Sequence, residues 1–274
     1  MPERGDSAAY DRWLADLERR HLAELTFPEV SRALRALSAT YVERRQKIAE
    51  GAALAGAGKR AAFAMFYGPL HFLLVAHIAG ELPGAAGDHS TLVDLGCGTG
   101  ASGAAWALAC ARARGGRAPR IVGVDRHPWA VSEAALTYRT LGLSAAVHRG
   151  DAATAALPST RCAILAAFTV NELDERARAA LLDRFLDRGS RGDRILIVEP
   201  IAGSITRWWD RWRAAFESAG GRSDQWRFRP ELPAIVAKLD RAAGLDHHEI
   251  TGRSLWLAPR ATAASRAGVL SASS

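Results

Sequence analysis

The 274-residue chain has only three cysteines, Cys97, Cys110 and Cys162. Their number is odd and their spacing fits no metal site, which excludes a disulfide framework and a zinc or iron–sulfur centre. Lysine is nearly absent: Lys47, Lys59 and Lys238 are the only ones among 36 basic residues. So arginine-rich a composition weakens any argument from arginine content alone. No long apolar run stands out. PLHFLLVAHIAG carries His71 and His77 and reads as too short to span a bilayer. The opening MPERGDSAAYDRW is charged and lacks the apolar stretch of a signal peptide. The expectation is a soluble, cytoplasmic protein. No internal repeat is visible.

What is present fits a folded domain. The chain is 49% hydrophobic and 24% charged, enough apolar surface for a substantial core. The formal net charge is +7, and residues 201–274 carry 11 basic against 7 acidic side chains. That asymmetry hints at an anionic partner.

The first 88 residues read as a helical region. Tyr10, Trp13, Leu14, Leu17 and Leu25 trace one apolar stripe, and Val30, Leu34, Leu37 and Tyr41 trace another. EGAALAGAGK reads as a loop, 60–80 as a third helix, and LPGAAGDHS (82–90) as a linker. From 89 to 260 the pattern changes. The short runs 91–95, 120–125, 144–150, 161–168 and 194–200 alternate with Ala- and Leu-rich stretches. Strand–helix alternation of this kind predicts βαβ units and a parallel sheet. LDHHEIT (245–251) and SLWLAP (254–259) read as an antiparallel hairpin about a Gly-Arg turn, and 261–274 as a disordered tail.

The strongest local signal is VDLGCGTGASG, Val93 to Gly103. A strand ends, a glycine loop follows, and a helix begins near Ala101. Such a loop lets a ligand approach the backbone and offers it free N–H groups. Gly98, Gly100 and Gly103 also fit the dinucleotide G-x-G-x-x-G pattern. Three features favour S-adenosylmethionine (SAM) instead: an acid, Asp94, at the head of the loop, which suits an ammonium group; about 90 residues preceding it; and the terminal hairpin.

VDLGCGTG resembles motif I of the class I SAM-dependent methyltransferases, and the order of elements from 91 to 259 is similar to theirs. The resemblance implies a Rossmann-like α/β fold: a seven-stranded sheet, mostly parallel with an antiparallel last strand, behind an N-terminal helical cap. It implies SAM as cofactor, with Asp94, Gly96, Cys97, Gly98 and Gly100 around it. Cys97 is a small packing residue there, not a nucleophile. Asp125 would accept the ribose hydroxyls, beside Arg126. Asp151 would contact the adenine amino group, beside Ala152. A helix N-cap is the alternative for both acids. Phe168 to Glu172 would face the transferable methyl group, with Asn171 positioning an acceptor and Glu172 taking a proton. Their alternative role is to start the next helix, with Asp174 as its cap. No metal is implied.

LSATYVERR, KRAAFAMFYGPLHFLLVAH, FTVNELDERARAALL and RILIVEPIAGS make the chain most similar to the ribosomal small-subunit methyltransferase-like family. Its "Y-x-L-N/S-E-L" signature reads Phe168-Thr169-Val170-Asn171-Glu172-Leu173 here. Its "L-V-E-P-G" departs to Val198-Glu199-Pro200-Ile201-Ala202-Gly203, and the cysteine-rich metal site of some members is absent. This resemblance implies an acceptor in small-subunit ribosomal RNA or its precursor, contacted by Arg207, Arg211 and Arg213. Trp208, Trp212 and Phe216 lie beside that strip, and Trp226-Arg227-Phe228-Arg229 follows in an expected loop. The aromatics could stack on RNA, or pack their helix onto the sheet. A small-molecule acceptor and a non-catalytic assembly factor remain open at this point. Tyr67 and His71 could line the cofactor mouth.

Overall fold

The computed structural model describes residues 4–43, 54–201 and 206–259. The helical region consists of α1 (Arg4–His21), α2 (Phe27–Glu43), α3 (Ala57–Ala62), a π-helical turn over Phe63–Tyr67, and α4 (Gly68–Glu81). The stretch read as a loop before residue 60 is therefore partly helical, since Ala57–Lys59 belong to α3; residues 50–53 lie outside the described residues. Leu25 falls beyond the end of α1. Segment 261–274 also lies outside the described residues.

Strands and helices then alternate: β1 (Thr91–Leu95), α5 (Ala101–Ala113), β2 (Arg120–Asp125), α6 (Pro128–Thr140), β3 (Ala145–Arg149), β4 (Ala163–Ala167), α7 (Glu175–Ser190), β5 (Arg194–Glu199), α8 (Thr206–Ser218), β6 (Arg222–Phe228), α9 (Ala234–Ala243) and β7 (Ile250–Leu257). The seven strands form one sheet in the order β3-β2-β1-β4-β5-β7-β6, with β7 antiparallel to both neighbours. The central strands β1 and β4 are buried on both faces, which is why they read as unbroken apolar runs.

The expected terminal hairpin is not formed. Residues 250–257 are one strand, and Gly252 and Arg253 sit within it, paired with Trp226 and Gln225 of β6. Glycine is needed there because α4 crosses closely: a Cβ on Gly252 would lie 2.6 Å from the Leu74 side chain. Trp226 to Phe228, expected in a loop, belong to β6.

Two cores flank the sheet. One joins the N-terminal helices, α5, α6 and α9, with Trp13, Phe66, Trp106 and Tyr138 fully buried. The other lies under α7 and α8, where Phe185, Trp212 and Phe216 are buried. The segment 82–90 is itself held in the first core. Ala85 is buried and its carbonyl accepts from Trp106 Nε1 at 2.8 Å. The continuous helical run Ala57–Glu81 is long and apolar enough, by length and composition, to cross a membrane, longer than the sequence reading allowed. Most of its apolar window is buried against the rest of the protein.

Candidate functional site

A cavity of about 540 Å³ opens at the carboxyl ends of β1, β2 and β4. Its size is within the ordinary range for small-molecule sites. One wall is the loop from Gly96 to Thr99 and the start of α5. Gly96, Gly98 and Gly100 all have φ between 52° and 77°, the left-handed region. A Cβ on Gly96 would lie 2.4 Å from Thr169 Oγ1, so the loop passes against the end of β4. Beyond Gly98 the space is open apart from the Phe63 ring, 3.8 Å from such a Cβ.

Asp94 does not line this cavity. Its Oδ2 accepts from Gly103 N at 3.1 Å and from the Tyr138 hydroxyl at 2.8 Å, so it braces the loop against α5 and α6 from inside. Burial pushes its carboxyl up to about 7, against the pull of those two bonds. The expectation that Asp94 meets a ligand's ammonium group is corrected by this inward direction. Cys97 lines the cavity, and burial raises its thiol well above the usual range. Its place is that of a packing residue.

Asp125 is on the cavity wall at the end of β2. Its two oxygens accept from Gly98 N at 2.9 Å and His127 N at 2.8 Å, tying the glycine loop to the start of α6. The N-cap of α6 is His127, whose ring accepts from Trp129 N. Arg126 follows at the rim and is exposed. Asp151 and Ala152 line the opposite edge; Asp151 Oδ1 accepts from Ala153 N at 2.7 Å.

The two residues expected to act on an acceptor separate. Glu172 faces the cavity, 3.9 Å from the Arg126 guanidinium. Its side chain keeps 38% of its surface open, the rest set into the cavity wall. Burial raises its carboxyl to about 7, opposed by Arg126 and assisted by Asp125. Asn171 is not a lining residue. Its backbone N and Nδ2 donate to the two oxygens of Glu199, and its Oδ1 accepts from Trp208 Nε1 at 3.0 Å. An acceptor-binding role for Asn171 is thus corrected: every polar group of its side chain already serves the join between β4, β5 and α8. The alternative that Asn171 and Glu172 begin a helix is half met. They sit in a 3-10 turn (Val170–Glu172), and Asp174 caps α7.

No family model matches the chain, and no curated protein matches it. Solved structures do. A protein of Listeria monocytogenes, provisionally assigned as a class I SAM-dependent methyltransferase, aligns over 93% of this chain and 90% of its own, at 12% identity and TM-score 0.50. The fold is that of the class I methyltransferases. The mitomycin 7-O-methyltransferase MmcR aligns at 14% identity and TM-score 0.49, over 83% of this chain and 67% of its own. The N-methyltransferase NodS of Bradyrhizobium japonicum, in complex with S-adenosylhomocysteine (SAH), aligns at 14% and 0.46, over 69% and 86%.

Within this methyltransferase fold, the site contains residues that the motif does not reveal. Phe63, Thr169 and Leu173 are among them, and His71, which the sequence reading offered for the cofactor mouth, lines the cavity too. His71 stacks on Phe168, with ring centroids 3.7 Å apart and planes at 13°. Burial lowers the His71 imidazole to about 3, so it is neutral at physiological pH. Tyr67 turns elsewhere and bonds Ser38. Among the described residues, no cluster of His, Cys, Asp or Glu could hold a metal.

Proposed function

We propose that this protein is a SAM-dependent methyltransferase. The observation that carries the reading is that Asp125 and the glycine loop share one cavity wall with the start of α5. A carboxylate offers two acceptors to a vicinal diol, as in ribose. The first N–H groups of a helix favour a carboxylate. The open space beyond Gly98 suits close backbone approach. The residues present therefore fit the cofactor, with Asp125 for ribose, Asp151 and Ala152 for adenine, and the loop for the amino-acid end. When bound, that cofactor supplies an electrophilic methyl group on sulfur. The chain's own part is to orient the acceptor, exclude water and take a proton, the last through Glu172.

For the acceptor, a small-molecule pocket is better supported than an RNA platform. Trp212 and Phe216, which could have stacked on bases, are buried in the core under α8. Arg213 is within 4 Å of Asp210 and Glu217, which offset its charge. The side chain of Arg207 lies outside the described residues. A ribosomal RNA acceptor keeps one supporting observation: Arg211 is exposed on α8, and Arg126 and Arg149 stand exposed at the cavity rim.

Calorimetric titration with SAH tests the cofactor. Binding is expected, and tight NAD binding without SAH binding would refute the proposal. Transfer of labelled methyl from SAM into fractionated RNA, protein and metabolites then identifies the acceptor class.

A further inference from the structure

We propose that the end of the cavity bordered by Phe63, His71 and Phe168, beyond the space taken by the cofactor's amino-acid end, is a pocket for a planar aromatic small molecule bearing an ionisable hydroxyl, lying against those rings with Glu172 as its proton acceptor. This rests on the methyltransferase reading and names the substrate class for that site.

The wall is built from two distant parts of the chain. Phe63 and His71 come from the N-terminal helices, and Phe168 from the end of β4. Phe63 meets His71 edge-on, centroids 6.0 Å apart and planes at 81°. His71 lies nearly parallel to Phe168. All three border the cavity. His71 and Phe168 thus lie nearly face to face while Phe63 stands edge-on to them, so a flat guest parallel to that pair would meet Phe63 edge-on, an arrangement aromatic groups favour.

Two local irregularities hold this wall in place. Phe168 has φ of 57°, the only non-glycine residue with positive φ among the described residues. Phe63 opens a π-helical turn within an otherwise α-helical run. Strained backbone and π-turns persist where surrounding structure over-determines them, commonly at ligand clamps. A neutral His71 adds a flat ring without adding positive charge.

The polar complement is narrow. Glu172 stands on the 3-10 turn after Phe168, and Leu173 and Leu54 add apolar surface. In the reaction the acceptor's hydroxyl oxygen forms the new C–O bond as the S–C bond breaks. Sulfur keeps that electron pair, and the hydroxyl proton passes to the Glu172 carboxylate. A saturated ring would lose the stacking, and an ether would lose the hydrogen bond.

The test uses the full chain with saturating SAH, titrated with 2-naphthol, its methyl ether, decahydro-2-naphthol and a 12-nucleotide oligouridylate. 2-Naphthol should bind at least tenfold tighter than the decahydro compound and several-fold tighter than the ether. His71→Phe should retain that affinity and His71→Leu should lose most of it, with SAH affinity within twofold in both. Thermal melts confirm that both variants fold. Equal affinity for flat and saturated rings, equal behaviour of the two variants, or displacement of 2-naphthol by the oligouridylate would overturn the inference. The SAH titration alone reports on the methyltransferase reading. Should it fail, the same 2-naphthol comparisons on the free chain still decide the pocket.

Discussion

Asn171 Nδ2 donates to Glu199 Oε2 across 2.6 Å, a bond that joins the segment after β4 to the end of β5. Glu199 is completely buried, and the backbone N of Asn171 donates to its other oxygen. The pair fixes where Glu172 begins its turn into the cavity.

Asn171→Ala should therefore act on stability before chemistry. It removes a donor from a buried carboxyl and an acceptor from Trp208 Nε1. The loss should be about 2–3 kcal/mol, the scale for leaving buried polar groups unpaired. Urea unfolding measures it, and SAH affinity should change little. An unaltered midpoint would show that the bond contributes nothing.

Burial raises the carboxyl of Glu199 to about 8 and that of Asp94 to about 7. In the unfolded chain both would release their protons near pH 4. At these two carboxyls the folded state binds more protons, whereas at buried His71 and His89 it binds fewer below about pH 6.5, so stability falls with rising pH mainly between about pH 6.5 and 8. Melting temperature should be lower at pH 8 than at pH 5.5. Glu199→Gln, which is neutral throughout, should flatten part of that slope.

Asp125→Ala should weaken SAH binding by about 1.5–3 kcal/mol, the range for charge-assisted hydrogen bonds. It also frees Gly98 N and His127 N at a solvent-lined wall, so the melting temperature should fall only slightly. Unfolding with residual affinity intact would assign the residue a purely structural role.

Glu172 should titrate near 7, not near 4.5. Carboxyl-labelled NMR with Glu172→Gln as the assignment control reads this directly. A proton acceptor must be ionised, so turnover should rise with pH through about 7 and level off above it. Glu172→Gln should lower kcat about 100-fold or more and leave SAH affinity near its starting value.

Much of the sheet was legible because its central strands are buried on both faces. Thr91–Leu95 and Arg120–Asp125 are bounded in the structure as their β-branched runs suggest. The edge was harder. β6 is RSDQWRF, polar and arginine-rich because it has one sheet neighbour, and it carries no apolar run. Gly252-Arg253 looks like a turn, since no local pattern reveals that Leu74 needs the space a side chain would fill. In the site, the glycine loop, Asp125 and Glu172 were visible in short motifs. Asn171 was assigned to the wrong side, because two adjacent residues in a turn point apart and the sequence does not say which faces in. His71 was expected at the cofactor mouth and lines the cavity, but its stacking on Phe168, about a hundred residues away, lies beyond any local pattern, and no motif points to Phe63.

The π-turn at Phe63–Tyr67 has a geometric consequence for the helix that contains it. It inserts one residue's worth of rotation, about 100°, between the part bearing Phe63 and the part bearing His71. Deleting one residue of the turn would restore regular winding and keep the two halves in phase, whereas regular winding of the same residues would swing them out of phase. Phe63 could stay over Gly98 while His71 rotated off Phe168. In engineering terms, the turn sets the relative azimuth of the two rings with no change of side-chain chemistry, and substitutions that favour or disfavour it reshape the pocket from within one helix.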